Sequence, residues 1–148
     1  MGSTTFSGPV TSTNGFVGTT TGNHVGNVTG NVTGNVTGNV TGKLIGQTQD
    51  SIQNLSGAGA ANLTTATTIC TSTGAGNVVT LANSTAGNAG LRKTIVHGTK
   101  GASGTIVVTP GTSSGFTTVT LTNVGTAVTL LWTGAAWVVL STNGGTIA

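Results

Sequence analysis

The side chains able to do acid–base or nucleophilic work are few enough to name. The chain of 148 residues holds one carboxylate side chain, Asp50, one thiol, Cys70, two imidazoles, His24 and His97, and four cations, Lys43, Arg92, Lys93 and Lys100. General acid–base catalysis ordinarily employs a titrating pair, which a single Asp without Glu does not supply. A carboxylate cage for a hard cation is excluded within one chain, and zinc would need more Cys and His than Cys70, His24 and His97 provide. One cysteine forms no internal disulfide. The expectation is a protein with no catalytic residue, no metal and no cofactor, acting through shape and contact.

Three of the four cations fall in one stretch, from Arg92 through Lys93 and His97 to Lys100. A phosphate-binding patch is one reading, because neutralised phosphates drive nucleic-acid affinity. No aromatic interleaving or nucleic-acid motif accompanies it, which favours a solvated strand edge guarded by charge. His97 and Cys70 each follow an apolar residue in a candidate strand and read as packed residues. Gly38-Asn39-Val40-Thr41-Gly42-Lys43 imitates a phosphate loop but is one residue short, with Leu44 where Ser or Thr is needed. Gly57-Ala58-Gly59 and Gly74-Ala75-Gly76 lack the third glycine of a dinucleotide turn and read as loops. The start, Met1 to Phe6, has neither a basic nor an apolar signal region, and no apolar run is long enough to span a membrane. The sequons at Asn27, Asn31, Asn35 and Asn39 are by-products of a repeat.

That repeat is the main organising element. Glycine recurs every fourth residue from Gly18 to Gly46, and Asn-Val-Thr fills the gaps four times between Asn27 and Thr41. Collagen requires glycine at every third position. A helix is disfavoured, because each interior glycine costs about 1 kcal/mol and Val and Thr are poor helix formers. As a strand, the unit puts Gly and Val on one side and Asn and Thr on the other. One valine per four residues returns at most about 3 kcal/mol, against roughly 1–2 kcal/mol for each backbone residue ordered. A lone strand also lacks a hydrogen-bond ladder. The expectation is several copies side by side, preferably three, with Val28, Val32, Val36 and Val40 on the trimer axis and glycine permitting close approach. A single-chain β-solenoid and a Gly-rich spacer compete with it. Extended, the shaft would reach about 95 Å. His24 occupies a Val slot and marks an irregularity at the start of the shaft.

Around it the chain divides into an N-terminal anchor at 1–16, the shaft at 17–46, a linker or short neck helix at 47–61, and a β-domain at 62–148. Ile45, Thr48, Ile52 and Leu55 follow a 3-4-3 spacing that permits the neck helix, and Ser56 to Ala61 reads as a hinge. Phe6, Pro9, Val10 and Phe16 form an isolated apolar cluster suited to anchoring. Seven strands are predicted: Thr67–Cys70, Val78–Leu81, Lys93–His97, Thr105–Thr109, Phe116–Thr122, Ala127–Trp132 and Trp137–Ser141. Val119 and Leu121 alternate with threonines, as do Val128, Leu130 and Trp132 with their neighbours. Their number and spacing suggest a β-sandwich or jelly-roll, and the whole chain reads as all-β. Trp132 to Trp137 is a tight hairpin bringing two indoles together, either as a core or interface plug or as a stacking site for a ligand.

Taken together, several stretches resemble small virion structural proteins of marine tailed bacteriophages. They are the start from Thr4 to Val10 running into Asn14-Gly15-Phe16, the Gly-Asn-Val-Thr shaft, and the ending with Gly90-Leu91-Arg92-Lys93, Thr117 to Leu121, Val128 to Trp132 and Gly134 to Val139. Gly134-Ala135-Ala136 stands where similar proteins often carry an acidic residue before the final Trp. The resemblance implies a capsid-decorating or head-fibre protein, trimeric, with its N-terminal segment on the major capsid protein at the virion surface. Nucleic acid and membrane are not expected partners. Two other readings follow from the residues: a tail-fibre adhesin binding host surface glycans through the tryptophans, and a Thr-rich ice-binding solenoid.

Overall fold

Alternating β-branched and threonine residues build nearly everything in the computed structural model, which describes residues 49–148 apart from Ala102. The anchor residues, the Gly-Asn-Val-Thr run with its valines, His24 and Lys43 lie outside the described residues. The strands are β1 (Ile52–Ser56), β2 (Gly59–Ala61), β3 (Thr67–Ser72), β4 (Asn77–Leu81), β5 (Arg92–Lys100), β6 (Ile106–Pro110), β7 (Val119–Leu121), β8 (Ala127–Trp132), β9 (Trp137–Asn143) and β10 (Gly145–Ile147). One 3-10 turn, Ala86–Asn88, interrupts the crossing from β4 to β5. The all-β expectation holds.

The strands form two five-stranded sheets, ordered β1-β3-β5-β8-β9 and β10-β7-β6-β4-β2. Up to β6 the chain changes sheet with every strand. Each new strand then lies parallel to the one two places earlier, as β3 does on β1, β4 on β2, β5 on β3 and β6 on β4. This first part is a flattened coil. The remainder closes it with antiparallel strands: β7 folds back on β6, β8 joins β5, β9 pairs with β8, and β10 returns to β7. Two-sheet layering therefore agrees with the sandwich expectation, whereas the winding differs from the antiparallel connectivity of a jelly-roll.

The corners explain the winding. Asn62 Oδ1 accepts the N–H groups of Thr64 and Thr65, and Asn77 Oδ1 accepts those of Thr73 and Gly74. Such side-chain turns satisfy the backbone where the chain leaves one sheet for the other. All seven predicted strands are present within a few residues of the expected bounds. The stretch expected as linker or helix departs from expectation: β1 and β2 occupy it, and the burial along β1 alternates with period two. Hydrogen bonding to β3 selects the strand there, overriding a helical spacing too short to support itself.

One core lies between the sheets. Cys70, Ile95, Val128, Leu130, Trp132 and Trp137 enter it from the first sheet, and Val79, Leu81, Ile106, Val108, Val119 and Leu121 from the second.

Candidate functional site

The chemistry-bearing side chains of β3 and β5 point inward, because alternation places Thr68, Cys70 and Ser72 on the buried face of one strand and Lys93, Ile95 and His97 on that of the other. Cys70 and His97 are register partners. His97 and Cys70 are wholly buried, and Lys93 and Ser72 are 1% exposed. The packed reading of His97 and Cys70 is the one the structure bears out.

His97 makes two contacts. Its Nδ1 lies 3.1 Å from the Leu121 carbonyl oxygen and its Nε2 lies 2.8 Å from Ser72 Oγ. A carbonyl only accepts, so in the neutral ring Nδ1 carries the hydrogen and Nε2 accepts from the Ser72 hydroxyl. The pair has the connectivity of a serine nucleophile and its base, yet a backbone carbonyl stands where a carboxylate would orient the imidazole. The Ser72 hydroxyl lies in the core, with the residue 1% exposed. What the geometry does is join the sheets: His97 on β5 bonds to the carbonyl of Leu121 on β7.

Lys93 is the other inward polar group. Its Nζ donates to the Thr65 carbonyl at 2.7 Å and to Thr65 Oγ1 at 2.9 Å. Burial lowers its pKa to about 8, against a smaller opposing effect from Cys70. Burial likewise pushes the Cys70 thiol up to about 11, with Lys93 pulling slightly the other way. A thiol held protonated so far above neutrality is a poor nucleophile.

The basic stretch is consequently not a patch. Arg92 is exposed at the start of β5, Lys93 is turned into the core, and Lys100 at the far end donates to the Thr122 carbonyl. The guarded-edge reading is corrected too, since β5 is the middle strand of its sheet.

Trp132 and Trp137 face each other across the β8–β9 hairpin as register partners, with ring centroids 5.4 Å apart and planes tilted by 55°. The sequence anticipates this hairpin, which Gly134 turns at φ +101° and Thr133 closes through Ala136. Both indoles are buried, Trp132 at 2% and Trp137 at 0% exposure. Their Nε1 groups donate to the Thr85 and Ala82 carbonyls, so the 82–91 crossing straps the pair into the core. As placed, they plug the core and offer no free ring to a sugar.

Sequence reading missed the Ser72–His97 bond and the inward turn of Lys93. The signal was present in the period-two pattern of both strands, but only their parallel register brings Ser72 to His97. Gln53 was also missed: its Nε2 donates to the Ala60 carbonyl, and its Oε1 accepts from Asn62 N–H and Thr68 Oγ1. Every buried side-chain N or O among the described residues has a partner. Among those residues no three His, Cys, Asp or Glu gather as a metal site, and no helix is long and apolar enough to cross a membrane. A scan against protein-family models finds no match, and a search of curated proteins finds none either.

Proposed function

We propose that this chain is a non-enzymatic structural protein of a phage virion, a cement or head-fibre protein that decorates or projects from the capsid as a homotrimer. The observation that carries the reading is the joining, in one chain, of a Gly-Asn-Val-Thr run with one valine in four residues to a nearly charge-free, two-sheet β body. The buried placement of Ser72, His97, Cys70 and both tryptophans supports it, because the chemically capable side chains are committed to holding the body together. Sequence likeness to virion structural proteins supports it as well.

In this reading Phe6, Pro9, Val10 and Phe16 seat on the major capsid protein, and Val28, Val32, Val36 and Val40 meet at the trimer axis. The repeat projects the β body from the virion surface. No cofactor, nucleic acid or membrane takes part. The test is co-sedimentation of purified chain with undecorated capsids. Removing residues 1–16 is expected to abolish binding while leaving the melting temperature of the β body unchanged. Undiminished decoration by the truncated chain would refute the anchor.

A further inference from the structure

We infer that the outer face of the β1-β3-β5-β8-β9 sheet is the surface by which β bodies of sister chains meet, a deepening that rests on the homotrimer reading. Alternation sends one set of side chains from each strand to this face, and the strand register lays them in rows. Ile69, Val96 and Ala127 are register partners across β3, β5 and β8, as are Ile52, Thr67, Thr94 and Thr129 across β1 to β8. Leu131 and Val138 form a third apolar pair. Ile52 is 55% exposed, and Ile69, Val96, Ala127, Leu131 and Val138 are half-buried.

The occupant is argued from charge and area. Between β1 and β9 the rows carry no charged side chain; Arg92 stands at one end of the face. Asp50, the single carboxylate side chain, precedes β1 at that same end, because β1 and β5 run parallel through β3. Any partner with a charged surface would desolvate its charges here with nothing to answer them. A second copy brings an equally uncharged centre, together with an Asp50 and an Arg92 of opposite sign for the rim. Five strands about 4.8 Å apart and five to six residues long give a footprint of about 400–500 Å² per copy. Three such faces turned toward one threefold axis bury about 1,200–1,500 Å² together, above the roughly 1,000 Å² that a specific interface must clear. Chains already joined through a shaft sit at millimolar effective concentration, where a face of that size suffices. The outer face of the other sheet, with Val78, Thr80, Val107, Thr109 and Thr120, has fewer large apolar groups and three short strands.

The experiment uses the full chain carrying Val96→Cys, with Thr80→Cys on the opposite sheet as control. Cys70 is buried, so only the introduced thiol reacts. A bis-maleimide of about 10 Å reach spans the distance between sheets packed about a common axis. Val96→Cys is expected to give covalent species of twice the chain mass on a denaturing gel, and Thr80→Cys none. Native mass of each variant and of the unaltered chain is measured alongside. A trimeric Val96→Cys chain that does not cross-link overturns this face and leaves the homotrimer reading intact. Equal cross-linking of both variants also overturns it. Loss of capsid binding in Val96→Lys, with trimer mass retained and no cross-link in Val96→Cys, would give the face to the capsid instead. A monomeric unaltered chain removes the homotrimer reading and this one with it.

Discussion

Lys93 and Cys70 make the body's stability depend on pH with opposite signs. An unfolded lysine keeps its proton to about 10.5, whereas Lys93 in the fold releases it near 8, so between those values the unfolded chain binds more protons and stability rises with pH. The Cys70 thiol ionises near 9 when unfolded and near 11 when folded, so stability falls across that interval. Thermal melts are expected to rise in midpoint from pH 8 to 9, level off to 10.5, then fall. Lys93→Met should remove the rise and keep the fall; an unaltered rise in that variant would contradict the burial argument. Ser72→Ala strands a buried imidazole nitrogen and is expected to cost about 1–3 kcal/mol in denaturant unfolding. Which side chains are inward was legible from alternation, as it was for Val119, Leu121, Val128 and Leu130. What Ser72 and His97 do to each other was not, because it depends on a parallel pairing between residues 25 apart.

Among the elements, the corners and close approaches decide the fold. A Cβ at Gly104 would overlap Ser72 Oγ and stand 2.5 Å from Ser72 Cβ, so the corner after β5 passes Ser72 with no room for a side chain. Gly104→Ala is expected to destabilise by about 1–3 kcal/mol through overpacking. Combined with Ser72→Ala it should cost less than the two changes added, since the clashing hydroxyl is gone. Full additivity in denaturant melts would contradict that contact. Strands long enough to show Val, Thr and Leu in alternation, such as β8, were readable directly. β1, β2 and β10 were not: two are three residues long, and β1 shares its stretch with a helical spacing. The jelly-roll expectation failed at the same scale. Strand count and spacing are alike in a sandwich and in a wound coil, and the difference lies in which sheet each short corner delivers the chain to.

For the molecule as a whole, two kinds of sequence with different requirements are joined. The body from β1 to β10 buries a continuous core and satisfies its own buried polar groups, so it has what a fold needs within one chain. From Asn27 to Gly42 the tetrapeptide run has one valine in four residues and no charge, which motivates the proposal that sister chains supply its backbone partners. Composition made this contrast legible at once, while the symmetry by which sister chains would relieve it is a matter of packing that one sequence does not encode in any single residue. The direct measurement is the native mass of the full chain at nanomolar concentration, where non-covalent association must be strong to persist. The account predicts three times the chain mass of 14.2 kDa. A species of one chain mass, with residues 17–46 protected against amide exchange, would contradict it.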